Sequence, residues 1–333
     1  MRLTEVNIIT LNSFLEREGF PTIAEDLGEE ELRTLLTTAR NHESQDIQDK
    51  DTAIHRAARL GNIDIINIML TCEVDVNLAK TDGVTPLLIA VDNRQLDVAQ
   101  LLLDNGAEVN KARTNGETPL LIAVDNRQLD VAQLLLDNGA EVNQARTNGE
   151  TPLWFAAYDG LLAVAKLLLK RGANVNQART TDGTTPLFVA AQLGQLALAQ
   201  LLLDNGAEVN QARTNRATPL FAAAQEGQLD VVQLLLERGA DVNQAMTNRE
   251  TPLYIAELFC ANTSVTLLLK LAGAKRDAID FETNDEVIKQ ALKASAMLQI
   301  ITQRFPASET DLRTAIETTL DNITSIDGLL SFN

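Results

Sequence analysis

The sequence predicts an all-α solenoid: stacked helical pairs joined by short β-hairpin fingers, with a helical cap at each end. Three observations carry this. Residues 85–110 read TPLLIAVDNRQLDVAQLLLDNGAEVN, and residues 118–143 repeat the phrase letter for letter. The dipeptide Thr-Pro recurs at Thr85-Pro86, Thr118-Pro119, Thr151-Pro152, Thr185-Pro186, Thr218-Pro219 and Thr251-Pro252, in steps of 33, 33, 34, 33 and 33 residues. Thr52-Ala53 lies one step earlier, which makes seven units. A fixed period of this length marks an array in which each unit buries its apolar faces only against its neighbours.

The N-terminal element, residues 1–50, reads as a helical cap. Ile8, Leu11, Phe14 and Leu15 fall at helical spacing and Gly19-Phe20-Pro21 ends that helix. Leu32, Leu35 and Leu36 mark a second helix over residues 29–40. Residues 51–276 hold the seven units. In units two to seven, Thr at the N-cap and Pro at the first helical position start a short apolar helix, residues 86–91 in the second unit. Residues 95–103 form a second helix. Its apolar residues exceed one stripe, so it touches both its partner helix and a neighbouring unit. Gly106 closes it, and residues 110–117 form a connector with Asn115-Gly116 at its tip, a strong hairpin-turn signal. Residues 277–333 leave the repeat. Val287, Ile288 and Leu298, then Leu312, Ile316 and Leu320, predict a helical hairpin broken at Phe305-Pro306. That tail either closes the stack or binds something itself.

The T-P-L-h-x-A and G-A-x-V-N patterns, in phase over seven units, resemble the ankyrin repeat family. The resemblance implies L-shaped units, a concave face lined by fingers and first helices, and protein–protein interaction through that face. It implies no cofactor. Carried across, the ligand-facing helix positions are Asp92 and Asn93, Asp125 and Asn126, Tyr158 and Asp159, Gln192 and Leu193, Gln225 and Glu226, and Leu258 and Phe259. They run from acidic to apolar, so a partner should bury more apolar surface near units four to seven.

Three departures from the family pattern stand out. The family's His survives only as His55; Leu88, Leu121, Trp154, Phe188, Phe221 and Tyr254 replace it. These residues either repack the base of the groove or present apolar groups to a ligand, with Trp154, Tyr158 and Phe259 as hot-spot candidates. Arg94 and Arg127 stand where Gly61, Gly160, Gly194 and Gly227 keep the glycine between the two helices. Either that loop differs or those units are strained. In the fingers, Lys80, Arg113, Arg146, Arg179 and Arg213 form a basic ladder. Asp75, Glu108, Glu141, Glu208 and Asp241 form an acidic one, and Glu117 and Glu150 flank the fingers as well. The ladders either neutralise one another or offer an edge to an acidic protein segment.

The net charge of −18 opposes nucleic acid and anionic lipid as partners. No apolar run is long enough to span a membrane, and the N-terminus does not resemble a secretory signal. Cys72 and Cys260 are the only cysteines, and six unit steps put them too far apart to pair or share a metal. The histidines, His42 and His55, do not complete a zinc set, and no phosphate loop or nucleophile elbow is present. The expectation is therefore a non-enzymatic, metal-free interaction protein of a reducing, cytoplasmic compartment. The alternatives are self-association through the C-terminal helices, or an activity involving that segment. The exact duplications are also similar to those of ankyrin proteins that intracellular bacteria deliver into host cells.

Overall fold

The computed structural model describes residues 5–23, 36, 51–259 and 263–275. The predicted helix at 29–40 (apart from Leu36), His42, Cys260 and the C-terminal hairpin at 277–333 lie outside them. Fifteen helices occur among the described residues. Helix α1 (Glu5–Arg17) precedes seven helical pairs: α2 (Ala53–Leu60) and α3 (Ile63–Thr71), α4 (Pro86–Asp92) and α5 (Leu96–Asp104), α6 (Pro119–Asp125) and α7 (Leu129–Asp137), α8 (Pro152–Tyr158) and α9 (Leu162–Lys170), α10 (Pro186–Gln192) and α11 (Leu196–Asp204), α12 (Pro219–Gln225) and α13 (Leu229–Glu237), and α14 (Pro252–Phe259) and α15 (Thr263–Leu271). The even-numbered helices stack on one another as an inner layer and the odd-numbered ones as an outer layer. Helix α1 packs on α3, burying Leu11, Phe14 and Leu15. Glu18 fastens the cap by accepting from Arg56 at 2.8 Å.

Each inner helix begins as its sequence dictates. The threonine hydroxyl accepts from the backbone N–H three residues on, as in Thr85 from Leu88 and Thr151 from Trp154. In every inner helix but α2, which starts with Ala53, proline then occupies the first turn, where its missing N–H costs nothing. Inner helices are only seven or eight residues long. Isolated, they would not persist in water; here nearly every residue is buried between neighbours, including Leu87, Leu88, Ile89, Ala90 and Val91.

Two cross-repeat series bind the stack. The asparagine of G-A-x-V-N acts as a staple. Asn110 donates to the Gly139 carbonyl at 3.2 Å and accepts from the Glu141 N–H at 2.8 Å. Asn77, Asn143, Asn176, Asn210 and Asn243 repeat the pair. The fingers are tight turns and not extended strands. In one, the Arg113 N–H donates to the Glu117 carbonyl and the Gly116 N–H to the Arg113 carbonyl, both at 2.9 Å. Each touches the next through a single backbone bond, such as Thr147 N–H to the Asn115 carbonyl at 3.2 Å.

The loop between paired helices does not change where arginine replaces glycine; the backbone is strained instead. Arg94 and Arg127 keep positive φ of 60° and 58°, beside 70° at Gly61 and Gly160. Arg94 recovers part of the cost by donating to the Asn126 carbonyl at 2.8 Å, whereas Arg127 only faces Asp159 at 3.7 Å. The extra Cβ also moves a neighbour. Gln95, Gln195 and Gln228 each cross to the last residue, or the one before the loop, of the preceding inner helix, at Arg59, Tyr158 and Gln192. Beside Arg94, Gln128 instead reaches one residue earlier, to the Val91 carbonyl at 2.9 Å. Arg127→Gly is expected to stabilise the protein by roughly 0.5–1 kcal/mol, and Arg94→Gly by less. Urea unfolding checks this, and a loss of stability would show that the arginine contacts outweigh the strain.

Candidate functional site

The candidate site is the groove between the fingers and the C-terminal ends of the inner helices. Its central feature is an ion-pair zigzag at the finger roots. Arg113 pairs with Glu117 at 2.8 Å, Glu117 also takes Arg146, Arg146 faces Glu150 at 3.6 Å, and Glu150 takes Arg179 at 3.2 Å. Arg179 reaches Asp182 at 2.7 Å, and Asp182 takes Arg213 at 2.5 Å. Lys80 with Asp51, at 3.0 Å, is a separate member at the N-terminal end. Hydrogen bonds donated by Arg179 hold the Asp182 carboxyl well below the usual carboxylate range, and the same bonds raise the arginine. The guanidinium groups also cover aromatic faces: Arg146 over Phe155 at 4.5 Å, Arg179 over Trp154 at 5.2 Å and Arg213 over Phe188 at 5.1 Å.

The basic ladder is thus paired, but not by the acidic series expected from the sequence. Its partners are Asp51, Glu117, Glu150 and Asp182 at the finger roots, with Asp92 and Asp125 reached across the groove. Glu117 and Glu150 lie four residues beyond an arginine and one before Thr-Pro, a phase visible in the sequence. Of the other acidic series, Glu108 pairs with Lys111 at 3.2 Å, while Asp75 and Asp241 each accept a backbone N–H at 2.9 Å two residues on. Those bonds close the turns that carry the asparagine staples.

The predicted helix positions line up along the same groove. Arg113 reaches Asp92 at 3.3 Å and Arg146 reaches Asp125 at 3.8 Å, so finger roots and helix ends border one surface. Burial raises the Asp125 carboxyl above its ordinary value; Arg146 opposes this, and Asp159, Glu117 and Asp92 add to it. Asp92, Asp125 and Glu226 are exposed, and Asn93, Asn126, Asp159, Gln192 and Gln225 are half-buried. Towards the C-terminal end the surface turns apolar: Tyr158 is 54% exposed, Leu193 46%, Leu258 58% and Phe259 63%.

Trp154 is not among the presented side chains. It is 6% exposed, its ring stacked under Tyr158 at 5.4 Å and edge-on to Phe155 at 5.5 Å. Leu88, Leu121, Phe188 and Phe221 are likewise buried, and Tyr254 is half-buried. This is the repacked base of the groove. His55 shares that depth: its Nδ1 lies 2.9 Å from the Thr52 hydroxyl and its Nε2 lies 3.2 Å from the Val84 carbonyl.

A family model described as ankyrin repeats (3 copies) matches residues 23–113, 120–213 and 211–285, most of the chain. The chain belongs to the ankyrin repeat family. Ankyrin repeats are generally protein–protein interaction modules and typically non-enzymatic scaffolds. A search of curated proteins finds no match. In this ankyrin stack, no helix among the described residues is long and apolar enough to cross a membrane. No group of three or more His, Cys, Asp or Glu among them is placed to hold a metal ion. Cys72 ends α3, and burial raises its thiol above the ordinary value.

Proposed function

We propose that the groove holds a partner protein, as scaffold, recruiter or steric inhibitor, with its apolar contacts on repeats four to seven. The observation that supports this is the exposure of Tyr158, Leu193, Leu258 and Phe259 at helix positions that are Asp and Asn in repeats two and three. Exposed aromatic and aliphatic anchors beside a polar rim are what interface hot spots require. Asp159, Gln192, Gln225 and Glu226 supply that rim. Trp154 supports Tyr158 from below. Arg113, Arg146, Arg179 and Arg213 border the groove with their charge already matched, contributing shape and hydrogen bonding along its finger side. The stack is prebuilt, so binding orders little of this protein and modest contacts suffice.

Affinity capture from lysate, comparing the native chain with the Tyr158→Ala, Leu193→Ala, Phe259→Ala variant, tests the reading. Tyr158 also covers Trp154, so circular dichroism and melting are measured first to show that the variant remains folded. A partner retained by the native chain and lost by the variant is the expected result. A partner retained equally by both removes the groove from consideration.

A further inference from the structure

Four arginines hold left-handed backbone positions: Arg94, Arg127, Arg216 (φ 68°) and Arg249 (φ 70°). Arg216 and Arg249 are at the tips of fingers six and seven, where earlier fingers carry Gly83, Gly116, Gly149 and Gly183. Glycine takes that conformation without steric cost, whereas a side chain there is strained. For Arg94 and Arg127 the molecule offers a return, in the Asn126 carbonyl and Asp159. Arg216 and Arg249 have none among the described residues. Both are exposed, and neither guanidinium makes an ion pair or hydrogen bond there.

The surrounding charge changes in the same place. Ala217 stands where Glu117 and Glu150 close the zigzag, and Asn215 and Asn248 stand where Asp82 and Asp182 occupy other tips. Finger six carries no acid at all, and Glu250 is the one carboxylate of finger seven. Arg213 is held by Asp182 of the preceding finger, which leaves Arg216 and Arg249 as adjacent cations in a chain of net charge −18. The same repeats present the apolar end of the groove.

Resting on the reading of the groove as protein-binding, we infer that fingertips six and seven dock an extended acidic segment of the partner. One carboxylate pairs with Arg216 and one with Arg249. Arginine and carboxylate match as a two-bond fork, which fixes direction as well as charge. Stacked repeats advance by about 8–10 Å, and an extended segment in the polyproline II conformation advances by about 3.1 Å per residue with three residues per turn, so every third side chain returns to the same face. Acids three residues apart therefore meet successive fingertips.

Fluorescence anisotropy on the full chain tests this with labelled peptides carrying two glutamates three residues apart, the same peptides with glutamine, and a single-stranded oligonucleotide. The variant is Arg216→Gly with Arg249→Gly, which restores the residue of the other fingers, so its melting temperature should hold or rise. Expected are binding of the glutamate peptide that weakens with salt, and a loss of roughly tenfold or more in the variant and with glutamine. Equal binding by the variant, no binding of the glutamate peptide to the native chain, or preference for the oligonucleotide would each overturn the inference. Binding that survives the fingertip variant but is lost in the Tyr158, Leu193, Phe259 variant would overturn it while leaving the groove reading in place.

Discussion

Gly149→Ala is expected to destabilise the stack by roughly 3 kcal/mol, about three times the effect of Gly139→Ala. Both glycines have positive φ, 87° and 85°, so both variants carry the left-handed strain of a side chain, on the order of 1 kcal/mol. They differ in what the new methyl meets. At Gly139 nothing lies within 4 Å, whereas at Gly149 a Cβ would sit 2.3 Å from the Thr180 backbone N and 2.8 Å from its side chain. Backbone cannot step aside as a side-chain tip can. Relief requires parting two fingers and losing the Thr180 N–H to Asn148 carbonyl bond of 3.1 Å. The cause is the single 34-residue step, which lengthens the finger that follows. Gly116→Ala should fall between the two, since its Cβ would stand 2.8 Å from the Thr147 N. Urea midpoints of the three variants check the order. Equal losses at Gly139 and Gly149 would mean that φ strain alone matters and that the fingers separate freely. Arg216 bears on this, because a side chain is tolerated at that fingertip.

The sequence made the stack legible because its strongest signals are local and periodic. Thr and Pro at a helix start, glycine past a helix end and a fixed step need no knowledge of what lies across space. The exception at Arg94 and Arg127 was legible for the same reason, since a left-handed position is recognised by the glycine that fills it elsewhere, but the choice between a changed loop and a strained one came only from the backbone angles. Contacts between units were harder to read. Asp75, Glu108 and Asp241 were plausible partners for the arginines by count and spacing, yet the bonds go to Asp51, Glu117, Glu150 and Asp182. One acid lies at the base of the turn that carries the asparagine staple and the other immediately before the next inner helix, and only the folded path of the chain tells them apart. Trp154 shows the same limit. Its type suggested an anchor, but its position is the root of an inner helix, and the exposed ring belongs to Tyr158, four residues on.

Acidification is expected to weaken the first repeat by roughly 3 kcal/mol at pH 4, through His55. The imidazole is buried, and burial pulls it from 6.5 to about 4; Asp51 opposes that shift and Lys80 adds to it. The folded value is the lower one, so between pH 6.5 and 4 the unfolded chain binds more protons. The stability conferred by neutral His55 is therefore complete above pH 6.5 and declines as pH falls towards 4. The geometry explains the preference. With the proton on Nε2, the ring donates to the Val84 carbonyl, and Nδ1 accepts from the Thr52 hydroxyl and N–H. A second proton on Nδ1 would confront the Thr52 N–H with another donor and charge a fully buried ring. Asp51 adds a further loss in the same direction. Burial raises its carboxyl, but Lys80 and Arg59 outweigh this and leave it below its usual value, so its contribution goes only at still lower pH. The comparison that isolates His55 is His55→Leu, since Leu88 and Leu121 fill the corresponding place in repeats two and three. Urea unfolding from pH 8 to 4 should slope steeply for the native chain and more shallowly for the variant. Hydrogen exchange should place the difference in α2 and α3. Identical slopes would move the source away from His55 to the surface carboxylates.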